Sequence, residues 1–156
     1  MTLEAITTFI FFEDDAGADQ GRYQNSNTAD TITFDSNPYA FLPFIYNGAT
    51  KSLSGDNIES TLTFANNQLS LAKAYEAVEN FWSVRVDTVL MHPSTFLPNR
   101  TLTTEYWIPS SISYNVEGVQ LSLSTAIDAV TSAIPNKVLR SKDVGALPVS
   151  SRIANA

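Results

Sequence analysis

The clearest pattern of hydrophobic and polar positions lies in residues 101–130, which read as a long strand, a tight turn and a returning strand. From Val119 to Leu123 apolar residues alternate strictly with glutamine and serine. A period of two residues predicts a strand with one buried and one polar face. The turn is predicted at Glu117 and Gly118, with Gly118 supplying the positive φ that short hairpin turns usually need.

The same period predicts further strands before this hairpin, and one segment departs from it. The further strands are predicted at residues 6–12, 31–34, 39–46, 60–65 and 82–92, with a loop over residues 13–30. In the departing segment Leu71, Tyr75 and Val78 recur at spacings of four and three residues, which is typical of the buried face of a helix. We therefore predict one helix, at about residues 68–80.

These elements predict a mainly β fold, either a small β-barrel or a β-sandwich of antiparallel strands with one helix. Residues 1–135 are predicted to form a single domain. Residues 136–156 contain Pro148 and Gly145 but also several apolar side chains, so an extended C-terminal arm that docks on another surface is the preferred interpretation. The alternative is a tail that covers its own barrel.

Candidate chemistry is scarce along the chain. Cysteine is absent and His92 is the single histidine, and there is no glycine-rich phosphate loop, nucleophile elbow or paired-histidine motif. Glu13, Asp14, Asp15 and Asp19 surround Gly17, but their spacing fits no established calcium loop. We expect no catalytic residues, no cofactor and no metal site, and hence no enzyme.

The net charge of −7 is unevenly distributed, with acidic residues near the start and basic residues near the end. A chain this acidic is a poor general nucleic-acid binder, because phosphate neutralisation needs clustered Lys and Arg. The two ends could attract each other within or between molecules, or could simply be solvated. The interface candidates from the two ends are Asp14, Asp15, Asp19, Lys137, Arg140, Lys142, Leu147, Val149 and Ile153.

The aromatic residues allow an alternative function, a carbohydrate-binding or adhesin module built on a β-sandwich. Exposed Trp82 or Trp107 would then stack on sugar rings, although in small β domains aromatic side chains more often form the core. Trp107 is the aromatic expected to be exposed, because alternation places it on the strand face of Glu105, opposite Tyr106.

The order of segments resembles a family of bacteriophage and prophage tail-module proteins, similar to the N-terminal domain of the phage lambda minor tail protein L. The resemblance covers about residues 31–140. It rests on an aromatic strand ending in Pro-Phe, a Leu-Thr-aromatic-x-Asn segment, a helix, a valine-rich strand and a hairpin running to a proline. These fall on Pro43-Phe44, Leu62–Asn66, Leu69–Asn80, Val84–Met91 and Ile112–Pro135.

The resemblance implies a structural component of a phage tail, located in the virion after synthesis in the host cytoplasm. Copies would form a trimeric or hexameric ring at the distal tail tube, hub or baseplate, joining the tube to the tail tip. Expected partners are further copies, the tail tube and other hub proteins, with passive contact to translocating DNA and no membrane insertion. The second region of protein L bears cysteines that look like an iron–sulfur site, whereas the present sequence contains no cysteine, so that cofactor is not expected here.

Overall fold

The computed structural model describes residues 4–27, 29–51 and 58–125, and within these ranges the chain forms nine strands and one helix. The strands are β1 Ala5–Glu13, β2 Asp19–Gln24, β3 Thr31–Phe34, β4 Asn37–Phe41, β5 Phe44–Lys51, β6 Ile58–Ala65, β7 Ser83–Met91, β8 Pro98–Tyr114 and β9 Gly118–Ser124. The helix, α1, spans Gln68–Glu79. The predicted mainly β fold with one helix is confirmed.

All nine strands belong to one sheet, in the order β3-β4-β2-β1-β7-β8-β9-β6-β5. Every pairing is antiparallel except that between β2 and β4, so the sheet is mixed. The sheet does not close into a barrel, because the outer strands β3 and β5 are not hydrogen-bonded to each other. Of the two architectures that the sequence allowed, the barrel is therefore the one that the structure does not form.

The 17-residue strand β8 joins the two halves of the sheet. Its first part, Pro98–Trp107, pairs with β7, and its second part, Ile108–Tyr114, pairs with β9. The register shifts between Pro109 and Ser111, as expected where a strand bends to pass from one set of neighbours to another. The two halves consequently pack against a shared core.

This first core contains side chains from both halves of the sheet and from the helix. Its fully buried members are Ile10, Val84, Val86, Leu62, Ala77, Val119, Leu121 and Leu123. In α1 the residues buried against the sheet are Ser70, Ala74 and Ala77, a stripe of small side chains that lets the helix approach closely. Of the three residues predicted to form the buried face of the helix, Tyr75 was wrongly assigned, because it is 43% exposed.

A second core lies on the opposite face of β1 and β7. It is formed by Phe9, Phe11, Ile32, Phe34, Tyr39, Val89 and Met91. Phe9 stacks on Phe34 with ring centroids 4.5 Å apart, which seats the β3–β4 hairpin on β1. Strand β7 therefore does not have the single buried face that was predicted, since Val86 lies in the first core and Val89 in the second.

Two local predictions need correction. Strand β2 occupies part of the predicted loop, and its polar composition concealed its pairing with β1. Gly118 does not have a positive φ; it is required because a Cβ there would lie 2.8 Å from the backbone oxygen of Phe64. The turn before β4 lies at Asp35 and Ser36, both with positive φ.

The helix begins at a well-formed cap. The Asn67 side chain accepts a hydrogen bond from the backbone N–H of Ser70 at 2.8 Å, satisfying one of the free donors of the first turn. No helix within the described ranges is long and apolar enough to cross a membrane.

Candidate interaction surfaces

The acidic loop between β1 and β2 is organised by Asp14, one of the predicted interface residues. Its carboxylate accepts hydrogen bonds from the backbone N–H groups of Ala16 at 3.0 Å and Ala18 at 2.8 Å, and from Gln20 Nε2 at 2.9 Å. The bond from Ala18, followed by those from Gln20 and Ala16, lowers the pKa of Asp14 below its ordinary value. Asp14 therefore shapes the loop.

The other two acidic candidates are more exposed. Asp15 is exposed, and Asp19 accepts a hydrogen bond from Arg22 Nε at 2.7 Å. Burial raises the pKa of the Tyr23 hydroxyl, and the charges of Asp19 and of Glu76 in α1 raise it further. The loop and the helix thus present acidic groups in the same neighbourhood, which the sequence did not indicate.

The remaining interface candidates lie outside the described residues. These are Lys137, Arg140, Lys142, Leu147, Val149 and Ile153. The attraction between the acidic loop and this basic, apolar segment stays a prediction, as does the division into a domain of residues 1–135 and an arm of residues 136–156.

Two arginines of the described domain, Arg22 and Arg85, make their polar contacts with side chains of the same domain. The guanidinium groups of Arg22 and Arg85 both donate to the Tyr39 hydroxyl, at 3.3 and 3.4 Å, and Arg22 lies 3.9 Å from the centre of the Phe11 ring. Arg85 also pairs with the buried Asp87 at 2.8 Å. These contacts hold β4 against β2 and β7, and leave the two cations poorly placed to bind phosphate.

A second polar group inside the fold links β5 to β8. The Tyr46 hydroxyl donates to Glu105 Oε2 at 2.5 Å and accepts a hydrogen bond from Trp107 Nε1 at 2.9 Å. Burial, followed by the bond to Glu105, raises the pKa of Tyr46 to about 12. The prediction of an exposed Trp107 was wrong: its side chain is 4% exposed, because the face it shares with Glu105 is the buried one.

Neither tryptophan is available for stacking on a sugar. Trp82 is also 4% exposed, packed against Phe12 and beneath the ammonium group of Lys73. Among the described residues, the strongly exposed aromatic side chains are instead Phe81, Tyr106 and Tyr114, at 75%, 69% and 60%. The carbohydrate-binding alternative therefore lacks the two rings on which it depended.

An apolar row faces solvent where β4 passes into β5. Phe41, Pro43 and Ile45 are exposed, whereas the intervening Leu42 and Phe44 are buried. The row borders a groove of about 500 Å³ that is also lined by Asn25, Asn27, Thr63, Phe64, Ala65 and Glu117. Because β5 is an outer strand of the sheet, this row lies at a sheet edge.

The single histidine has a local role. His92 is exposed, its Nδ1 lies 3.0 Å from the Ser94 hydroxyl, and its backbone groups bond Phe96 and Leu97 in the β7–β8 turn. Across the described ranges, no three His, Asp or Glu side chains are grouped so as to hold a metal ion.

Comparison with known proteins identifies a fold relative. No family model and no curated protein matches the chain, so the resemblance to the family of protein L stays a prediction. Among solved structures, the chain is similar to one in the virion of a native gene transfer agent particle, with a TM-score of 0.51 and 9% sequence identity. The match covers 81% of this chain and 42% of that chain, and it shows that the two share a fold.

Proposed function

We propose that this protein is a structural component of a phage-type virion, acting through assembly contacts rather than catalysis. The observation that carries the proposal is the fold shared with a chain of a gene transfer agent virion over 81% of the present sequence. The present chain spans 42% of that chain, so the proposal concerns the shared domain.

Within the virion, we place the protein in the distal tail, in a ring at the tube, hub or baseplate. The segments that suggested this location form the first core: Phe44, Leu62, Phe64 and Val84 are all buried in it. The residues that resemble the tail-module family are thus those that determine the packing of the domain. This agreement supports a common architecture, from which the location is proposed by analogy.

The surface of the domain has features suited to a ring. A closed ring of identical copies requires two different complementary surfaces on each copy. The exposed apolar row Phe41, Pro43 and Ile45 at an outer strand offers one surface for such a contact. An unpaired outer strand can also extend its sheet into a neighbouring copy. Partners are accordingly other copies and adjacent tail proteins.

Excess acid suits a channel through which DNA passes without adhering, because like charges repel. We propose that Asp15 and its neighbours face the bore of the ring. Locating the β1–β2 loop on the outer rim of an imaged particle would contradict this part of the proposal.

The test of the proposed function is particle imaging combined with mass-spectrometric identification of the chain. Particles purified from a host lysate should contain the protein, and labelling of the chain should mark the distal end of the tail. Finding it in the tail shaft would retain the virion role and exclude the distal location. Its absence from purified particles, with free monomer in the lysate, would exclude both.

A further inference from the structure

The side chain of Phe81 lies at the end of α1, where the chain turns towards β7. It is 75% exposed, and its backbone has a φ of 52°, in the left-handed region that bulky residues rarely adopt. The backbone N–H of Trp82 donates to the Ala77 oxygen at 3.0 Å, and that of Phe81 donates to the Val78 oxygen at 3.4 Å. These two bonds form a Schellman motif, in which the left-handed position is usually occupied by glycine.

The other non-glycine residues with positive φ in the described part of the chain have evident reasons for that conformation. Asp35 and Ser36 form the tight turn between β3 and β4, where short polar residues are common. Phe96 has a φ of 53°, but its ring is partly buried against the second core, so apolar burial offsets the strain. Phe81 gains little burial in the same backbone conformation. Glycine would therefore suit position 81 of the free domain better than phenylalanine does.

The charge at this end of α1 is also unfavourable for the domain by itself. The C-terminus of a helix is partially negative, so lysine, arginine or histidine is favoured in its last turn. The last turn of α1 has no basic residue, and the helix ends with the exposed Glu79. Glu76 is paired with Lys73 at 3.2 Å, whereas Glu79 pairs with no cation of the described ranges. An exposed negative charge therefore lies beside the exposed ring.

We propose that Phe81 and Glu79 form the centre of a contact with a different virion protein, one that has an apolar pocket bordered by lysine or arginine. A phenylalanine that enters such a pocket removes its ring from water, and a few anchors of this kind dominate the energy of many interfaces. Basic groups of the partner complement both Glu79 and the partially negative helix end. The inference rests on the virion role proposed above, for which it names a partner surface.

The partner is a different protein because the described domain is poor in the basic groups that Glu79 needs. Arg22, Lys73 and Arg85 are each paired with a carboxylate of their own domain, at 2.7, 3.2 and 2.8 Å. The chain as a whole has a net charge of −7. The same domain in a second copy is therefore a weaker electrostatic match than a basic neighbour.

Phe81→Gly in the full chain separates the needs of the fold from those of the contact. Glycine relieves the backbone strain, so the unfolding midpoint should rise by about 2–4 °C. Incorporation into particles in a complementation assay should nevertheless fall roughly tenfold, because an interface anchor is lost. The matched control is Tyr106→Thr, at another strongly exposed aromatic side chain, which should leave incorporation unchanged. Normal incorporation of the Phe81→Gly protein would overturn the proposal.

A charge series at position 79 tests the chemistry of the partner. Lysine is favoured at a helix C-terminus, so Glu79→Lys should keep or raise the unfolding midpoint. Repulsion from a basic partner should at the same time reduce incorporation, with Glu79→Gln intermediate between Glu79→Lys and the unaltered chain. Equal incorporation of all three proteins would exclude a basic partner.

Photo-cross-linking identifies the partner directly. Particles assembled with p-benzoylphenylalanine in place of Phe81 should yield, on irradiation, a cross-link to a lysine- or arginine-containing peptide of another virion protein. A cross-link to a second copy of this chain would overturn the choice of partner, and none from incorporated protein would overturn the contact. Each of these failures leaves the virion role intact. Absence of the unaltered chain from purified particles would instead refute that role, and this inference with it.

Discussion

The carboxylate of Glu105 lies on the buried face of β8. This placement explains why Trp107 was wrongly predicted to be exposed. Alternation correctly grouped Trp107 with Glu105 and opposite Tyr106. The error lay in assuming that a charged residue marks the solvent face, because Tyr46, distant in sequence, supplies the hydrogen bond that Glu105 needs. Such a partner is invisible to any local pattern.

We expect Tyr46→Phe to lower the free energy of unfolding by about 1–3 kcal/mol, since Glu105 and Trp107 would each lose a hydrogen-bond partner. Urea denaturation at neutral pH measures the loss. The control is Tyr106→Phe, at a side chain that is 69% exposed, which should change stability by less than about 0.5 kcal/mol. Equal effects of the two variants would contradict the structural role of Tyr46.

The raised pKa of Tyr46, to about 12, makes a further prediction in alkaline solution. A group whose pKa is higher in the folded than in the unfolded state stabilises the fold below its unfolded pKa. That contribution is lost as the pH rises from about 10 to about 12. After allowance for partial exposure we expect a loss of about 1 kcal/mol that Tyr46→Phe lacks. Unfolding curves of both proteins at several alkaline pH values test this; parallel losses would refute it.

At the scale of elements, strong periodicity predicted where the helix and several strands lie along the chain better than it predicted which face of each is buried. The helix was predicted at residues 68–80 and spans Gln68–Glu79, and β3 was predicted at its observed bounds. The face of α1 was less predictable, because Ser70, Ala74 and Ala77 are weakly hydrophobic and their burial comes from close packing on the sheet. Strand β2 was missed because its stability comes from pairing with β1 rather than from apolar side chains.

The small-residue stripe of α1 should be sensitive to size. We expect Ala77→Leu, at a side chain with no exposure, to destabilise the domain by about 1–3 kcal/mol through overpacking. The matched substitution Ala72→Leu, on the exposed side of the same helix, should be neutral within about 0.5 kcal/mol. Thermal unfolding followed by circular dichroism compares the two. Tolerance of leucine at both positions would show that the helix is not closely packed.

For the whole molecule, the sequence predicted the class of fold but not the path of the sheet. The central pairing joins β1 to β7, which are distant in sequence, and β1 is buried on both faces because a separate hairpin covers the second one. Neither fact follows from local periodicity, since each depends on segments that meet only in the folded chain. The acidic neighbourhood shared by the β1–β2 loop and α1 was missed for the same reason.

The predicted arm can be tested on the scale of assembly. We expect deletion of residues 136–156 to leave the unfolding midpoint nearly unchanged while weakening incorporation into particles. If the acidic loop is the partner of the arm, the full-length protein with Lys137→Glu, Arg140→Glu and Lys142→Glu should likewise keep its unfolding midpoint and be incorporated less well into particles. Particle counts and incorporation measured in a complementation assay provide the readout. Unimpaired assembly of the deleted protein would exclude a docking role for the arm.

The pairing of β1 with β7 also has a consequence during translation, because β1 cannot pair with its central partner until β7 has been synthesised. Its ladder runs from Glu13–Ser83 to Ala5–Met91, so β1 leaves the ribosome well before its central partner exists. At about 5–20 residues per second, the delay lasts several seconds. During it Phe9, Phe11 and Phe12, all buried in the finished protein, can be covered only incompletely. The nascent chain is therefore most dependent on chaperones between the synthesis of β1 and that of β7.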